Sequence, residues 1–248
     1  MAKFNSGIIV IGDEILSGRT QDSNSHFIAK NLINVGIQLD EIKIIHDDQD
    51  TIIKNILEFN KKYNYVFTTG GIGPTHDDIT SQCVSIAFNK RYCINSQAFK
   101  ILEEYYPKGE FNEGRQKMAK MPEHAELILN PTTAAPGFRI ENIYVLPGVP
   151  DIMQKMFLNL LRNLDKGSPK KSITINTNLY ESKIALALEK IQIKNPKCSI
   201  GSYPYFNNVS KSGGVNIVVS SWDLDNLDDI VLKINEMISL LGGKSLIV

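Results

Sequence analysis

The chain has 248 residues, 42% hydrophobic and 22% charged, enough apolar material for one large domain or for a main domain with a small second one. Lys+Arg and Asp+Glu both number 27, so the formal net charge is zero and no broad basic field is available to hold nucleic acid. Cys83, Cys93 and Cys198 are widely spaced and form no CxxC pair, which reads as reduced thiols in a cytoplasmic protein without a structural zinc site. The apolar run Ile8 to Ile11 is too short for a signal peptide, and no run is long enough to span a bilayer, so no membrane partner is expected.

Gly7 to Ile11 reads as the first strand, and it runs into a loop, Gly12 to Gly18, that carries Asp13 and Glu14 directly off the strand end. Open α/β sheets bind ligands at the carboxyl ends of their strands, so these acids are candidates for a binding crevice; solvated turn residues are the alternative. Asp22, Ser23, Asn24 and Ser25 offer N-caps for a helix whose apolar face is Ile28, Leu32 and Val35, with Gly36 as its stop. Ile37 to Ile45 is a second strand with Asp47 and Asp48 at its end. Asp50 or Thr51 is expected to cap the next helix, which carries Ile52, Ile53, Ile56, Leu57 and Phe59. The alternation of strand and helix predicts a mostly parallel sheet covered on both faces, a three-layer α/β/α domain.

The third strand, Tyr65 to Thr69, opens the stretch with the most chemical content. Gly70, Gly71 and Gly73 follow, a loop in which backbone N–H groups are open to close approach by a ligand. From Ile79 the apolar residues Ile79, Cys83, Ile86 and Ala87 fall at helical spacing. Strand, glycine loop and helix start together suit a phosphate or another anion. Asp77 and Asp78 stand at the same helix start; N-capping accounts for one acid, and a metal bridging acids and anion accounts for both. The loop is not a P-loop, because Pro74 and Thr75 follow Gly73 where Lys and Ser/Thr are required. It is not a dinucleotide fingerprint, which belongs after the first strand, nor a nucleophile elbow, since it has no Ser. His76 is weighed as a base or ligand and set aside as a loop residue.

Residues 89 to 125 are more polar, with helices expected from Ser96 to Tyr106 and from Asn112 to Lys120. Arg115 and Lys117 on the second helix are either a solvated face or a clamp for phosphate. Asn130 to Gly137 is a loop of small residues and prolines, a plain turn or a pocket wall. Phe138 to Ile140 and Tyr144 to Leu146 form a hairpin about Glu141-Asn142, and Pro147 to Asp151 opens the most regular amphipathic helix, Val149 to Leu164. Lys166 to Lys171 reads as a linker between a domain of residues 1–165 and a small α+β subdomain of residues 171–248. In that subdomain strands are expected over Ser172 to Leu179, Lys197 to Tyr203 and Gly214 to Ser221, with helices over Glu181 to Ile191 and Leu224 to Leu241.

Gly12-Asp-Glu-Ile-Leu16, Asp22-Ser-Asn24, Gly70-Gly-Ile-Gly-Pro-Thr-His-Asp-Asp78, Ala135-Pro-Gly-Phe138 and Leu146-Pro-Gly148 together resemble the CinA-type domain, the N-terminal domain of competence/damage-inducible protein A. That domain is related to the molybdopterin-binding fold of MogA and MoaB and also occurs fused to eukaryotic FAD synthase. The resemblance covers about residues 5 to 165, and Ile200 to Pro204 matches the family's small second subdomain. Ser23 stands where the family commonly has Thr, a change that keeps the hydroxyl. The amidase domain of full-length CinA, and its deamidase activity, are expected to be absent.

The resemblance implies a small phosphorylated ligand of the ADP-ribose, FAD or molybdopterin type over Gly70 to Thr75. The implied activity is hydrolysis of a dinucleotide-like pyrophosphate with Mg, Mn or Co as divalent cofactor; binding or adenylylation of molybdopterin and a non-catalytic binding module are the alternatives. Asp78 is expected to hold the metal, with Asp13, Glu14 or Asp77 completing its shell. Gly70, Gly71, Gly73, Pro74 and Thr75 would cradle phosphate, Lys117 and Arg115 would stabilise developing charge, and Asn24, Gly137, Pro147 and Gly148 would line the remaining wall. A homo-oligomer, dimer or trimer, is the family expectation.

Overall fold

A computed structural model describes residues 4–207, 212–222 and 227–248. The first strand, β1 (Phe4–Ile11), is buried from Ser6 onward; Ile8 and Val10 enter one apolar cluster and Ile9 and Ile11 another. A strand buried on both faces belongs at the centre of a covered parallel sheet. The chain continues through α1 (Asp13–Leu16), α2 (Asn24–Asn34), β2 (Ile37–Ile45), α3 (Gln49–Lys62), β3 (Tyr65–Thr69) and α4 (Thr80–Ala87). It then forms β4 (Tyr92–Ile94), α5 (Ser96–Tyr105), α6 (Glu113–Lys117), β5 (Lys120–Pro122), β6 (Glu126–Ile128), β7 (Gly137–Ile140), β8 (Ile143–Leu146) and α7 (Pro150–Leu161). The sheet order is β2-β1-β3-β8-β7-β6, parallel from β2 to β8 and antiparallel from β8 to β6. α3, α4 and α5 cover one face through Ile56, Phe59, Val84 and Leu102, and α2 and α7 cover the other through Ile28, Leu32, Met156 and Phe157. This is the three-layer α/β/α domain expected.

The chain divides at Gly167/Ser168 into two compact units. The second contains β9 (Lys171–Thr177), α8 (Glu181–Lys194), β10 (Cys198–Asn207), β11 (Ser212–Ser221), α9 (Leu227–Leu240) and β12 (Ser245–Ile247). Its antiparallel sheet, ordered β10-β11-β9-β12, carries α8 and α9 on one face around Ile175, Ile184, Ile217 and Ile234. Among the described residues no helix is long and apolar enough to cross a membrane.

Several local expectations are corrected. Asp13–Leu16 is a short helix rather than a loop, and β4, β5, β6 and β12, three residues each, were not anticipated. The helix expected from Asn112 to Lys120 ends at Lys117, because Lys120–Pro122 pairs with β4 instead. Asp48, not Asp50 or Thr51, caps α3, its carboxylate accepting the Thr51 N–H at 2.9 Å. Of the four capping candidates for α2, Asp22 is the one used, taking the Asn24 and Ser25 N–H groups at 3.0 and 3.1 Å, while Ser23 makes no side-chain cap. The expected helix start at Leu224 lies outside the described residues.

Phe67 sits at the middle of the second apolar layer, fully buried, with its ring 5.3 Å from Phe157 and 5.5 Å from Tyr144. Phe67→Ala is expected to cost about 3–5 kcal/mol in urea unfolding, whereas Leu129→Ala, at a side chain 58% exposed, should stay within about 0.5 kcal/mol of the wild type.

Candidate functional site

Parallel pairing brings the carboxyl ends of β1, β3 and β8 to one edge of the sheet, and the segments leaving them meet there. Gly70, the first residue past β3, has φ +105°, and a Cβ on it would lie 2.1 Å from the carbonyl oxygen of Ile11. Its own N–H is donated to Leu146 O at 3.1 Å, so the backbone at Gly70 touches the ends of both neighbouring strands. Gly71, at φ +68°, backs onto Thr80, where a Cβ would lie 2.1 Å from Oγ1. The turn after β8 is held by Asn24, whose Nδ2 donates to Gly148 O at 2.8 Å. These segments enclose a cavity of about 510 Å³, within the size range of small-molecule sites. Gly12, Glu14, Asp47, Gly70, Gly71, Gly73, Pro74, Asp77, Asp78, Pro147 and Gly148 all line it.

The acids are organised locally rather than as helix caps. Ile79 is the N-cap of α4 and has no side-chain bond, so neither Asp77 nor Asp78 caps that helix. Asp78 Oδ2 instead accepts the Thr75 N–H at 2.9 Å and the Thr75 hydroxyl at 2.5 Å. The same hydroxyl lies 2.5 Å from Asp77 Oδ1, and having one proton it can donate to only one of the two carboxylates at a time. This bond holds the Asp77 carboxyl below the usual aspartate range. Lys117 Nζ donates to the Thr75 carbonyl and its charge acts on Asp77 in the same sense. His76 is 97% exposed and stands 3.9 Å from Asp77, outside the cavity wall.

Asp13 turns away from the cavity, its carboxylate 2.7 Å from His46 Nδ1, while its backbone N–H is donated to Asp47 Oδ2 at 2.8 Å. Asp47 was noted in the sequence only as the end of a strand. Burial pushes its carboxyl above the usual aspartate range, and the charges of Asp13, Glu14 and Asp77 add to that rise. It is the functional candidate that sequence reasoning missed. The signal for it was available, since β2 runs parallel beside β1 and therefore ends next to Asp13.

Of the remaining expected residues, Thr75 and Lys117 stand at the loop, but Arg115 is committed elsewhere. Its guanidinium pairs with Glu110 Oε2 at 3.0 Å and lies 4.1 Å from the ring centre of Tyr106. Gly137 is buried in β7 against the Val145 carbonyl, and Pro136 rather than Gly137 reaches the cavity. Asn130 organises the loop beside it, its Oδ1 accepting the Thr132 and Thr133 N–H groups at 2.8 and 3.2 Å. Tyr106 and Met118 also line the cavity and were not singled out in the sequence. Among the described residues no three His, Cys, Asp or Glu side chains cluster closely enough to hold a metal by themselves.

A covered parallel sheet whose strand ends present a glycine loop beside carboxylates defines an α/β domain built to bind a small ligand at its sheet edge. The chain belongs to the family described as "Probable molybdopterin binding domain", which matches residues 7–166. Residues 170–241 match a second family, "FAD synthase, middle domain". A protein of Archaeoglobus fulgidus is 33% identical over 94% of this chain and 97% of its own length. A Caenorhabditis elegans protein named "Probable FAD synthase" is 28% identical over 94% of this chain, which spans only 50% of that longer protein. The CinA structure from Thermoplasma acidophilum superposes with a TM-score of 0.62 at 29% identity, covering 66% of this chain and 99% of that one. The resemblance to the CinA-type domain is therefore borne out.

The Asp47 shift has a consequence for stability. A carboxyl whose folded pKa is raised binds its proton more tightly in the folded state, so its contribution is fully present below the ordinary value of 3.8 and is lost as pH rises through the folded value. Asp47→Asn should therefore gain stability relative to the wild type between pH 3 and pH 7, seen as a urea-midpoint difference that grows with pH. A difference independent of pH would mean that Asp47 titrates like a free aspartate.

Proposed function

We infer that this chain is a divalent-metal-dependent pyrophosphatase acting on a dinucleotide-like pyrophosphate of the ADP-ribose or FAD type. The observation that carries the reading is the meeting, in one cavity, of a glycine loop with Glu14, Asp47, Asp77 and Asp78. Among the described residues no acceptor takes the N–H groups of Gly71, Ile72 or Gly73, which leaves them to bind phosphate oxygens, whereas the N–H of Gly70 is already used. The match to an FAD synthase middle domain and the name of the nematode relative support a nucleotide as ligand.

The donor chemistry fits a hard divalent ion. Carboxylate oxygens are the ligands Mg²⁺ and Mn²⁺ take, and Mg²⁺ is commonly held by one or two protein carboxylates with phosphate and water completing the shell. Asp78 would hold it, with Asp77 or Glu14 beside it; the bound ion would neutralise phosphate charge and acidify a water. Thr75 holds Asp78 through its backbone N–H and offers its hydroxyl proton to Asp77 or Asp78, and Lys117 secures Thr75 by its carbonyl while carrying positive charge to the loop. Asp47, with its raised pKa, is the carboxylate suited to accept a proton from an attacking water.

The family description favours a second reading, in which the same pocket binds or adenylylates molybdopterin. The two are separated by phosphatase-coupled phosphate release from ADP-ribose, FAD and NAD with Mg²⁺, Mn²⁺ or Co²⁺. Metal-dependent turnover of one substrate is expected, reduced about 100-fold or more in Asp78→Asn with circular dichroism unchanged. Full activity in that variant would reject the role of Asp78, and no turnover by folded wild type would move the assignment to molybdopterin.

A further inference from the structure

The antiparallel sheet of the second unit packs α8 and α9 on one face. Its other face takes the odd residues 199–205 of β10, the even residues 214–220 of β11 and 172–176 of β9, and Leu246 of β12. None of these twelve positions holds Lys, Arg, Asp or Glu. In a chain that is 22% charged, about two or three of them would at the average frequency. Lys170, Lys197 and Lys244 stand just outside, one residue before β9, β10 and β12. An uncharged centre within a charged rim, with tyrosine at the centre, is the composition of a protein–protein contact.

The face is also flat. Tyr203 lies across Gly201, where a Cβ would stand 3.0 Å from its Cε2. Tyr205 crosses β11 at Gly214, whose Cβ would lie 2.8 Å from the phenol oxygen, and donates to Asn176 Oδ1 on β9 at 3.2 Å. Asn176 Nδ2 in turn donates to Asn216 Oδ1 at 2.9 Å. Two glycines thus let both rings lie along the sheet instead of standing out from it. Tyr203 is 59% exposed, and among the described residues no other ring or cation packs on it.

A flat, uncharged surface narrows the choice of partner. A charged protein surface laid on it would lose water and meet no counter-charge. A nucleic-acid strand would find no cation along the strands to meet its phosphates. A second copy of the same face meets neither cost, and its amides and hydroxyls both donate and accept. From the strand lengths, each copy offers about 500 Å² of sheet, about 1,000 Å² for a pair, which reaches the size of a specific interface. We propose that two copies of this chain associate through this face, sheet on sheet, with the paired Tyr203 and Asn216 inside the contact. The proposal is independent of the chemistry at the main cavity.

The test is sedimentation equilibrium of the full chain at low and high salt, with circular dichroism to confirm that each variant is folded. The wild type is expected to dimerise with a Kd that salt leaves nearly unchanged, because the contact contains no charges. Tyr203→Lys places two like charges in the contact and should raise the Kd about 100-fold or more. Leu186→Lys, at a 76% exposed position on α8, should leave the Kd as it is. Val218→Lys, on the same face, carries the test if Tyr203→Lys does not fold. A larger wild-type assembly that either face variant halves would equally support the contact. A monomeric wild type, a strongly salt-dependent Kd, or wild-type association in the folded face variants would overturn it. Binding of oligothymidylate by the wild type, lost in Tyr203→Ala, would overturn it in favour of single-stranded nucleic acid.

Discussion

The site depends on one steric fact, the absence of a side chain at Gly70. Its backbone lies so close to Ile11 O that any Cβ would overlap the oxygen, and its N–H closes onto Leu146 O on the other side. β1, β3 and β8 can therefore end side by side, and the loops leaving them begin within reach of one another. A larger residue would have to push β3 away from β1 or rotate the loop out of the positive-φ region, and either move would dismantle the cavity. Gly148 packs beside it, a Cβ there meeting the Gly70 Cα at 3.4 Å in ordinary contact, and Asn24 holds that turn by its carbonyl. The geometry of the candidate site is in this sense a consequence of sheet packing, with loop chemistry added to it.

The segment between β4 and β5 supplies what the sheet edge lacks. The two short strands pair only with each other, so they anchor α5 and α6 without belonging to the central sheet. α5 buries Ala98 and Leu102 in the first apolar layer, while α6, five residues long, buries none of its own and is positioned by its Asn112 cap and by the Lys117–Thr75 bond. Exposed ion pairs contribute little to stability, about 0–1 kcal/mol each, so the Arg115–Glu110 pair matters more for where it puts Tyr106 than for its energy.

Much of this was legible in the sequence because parallel strands and amphipathic helices leave long patterns. β1, β2, β3, the β7–β8 hairpin and α7 follow directly from apolar runs and 3.6-residue spacing, and the glycine loop from its position after β3. The three-residue strands β4, β5 and β6 were hidden because so short a segment has no periodicity to read. Gly70 was legible as a turn residue but not as a donor already spent on Leu146, since that partner is set by the order of strands in the sheet. The same limit applies to Asp13 and Arg115. Each is a charge in the right stretch of chain, yet His46 and Glu110 claim them through contacts that composition does not reveal.

The charge distribution at the cavity bears on the two functional readings. A chain with no net charge has placed Glu14, Asp47, Asp77 and Asp78 around a loop whose open amides suit an anion, and Lys117 is the cation that meets this loop directly. Burial raises the pKa of Asp47, and the charges of Asp13, Glu14 and Asp77 add to that rise. A pocket evolved only to hold a phosphorylated pterin or nucleotide would gain from replacing such acids, because each opposes the phosphate it must receive. Carboxylates kept in that position are useful where they do work on the ligand, by carrying a cation to the phosphates and by accepting a proton from water. A cluster of acids that weakens simple phosphate binding is thus the feature that favours the enzymatic reading over a carrier.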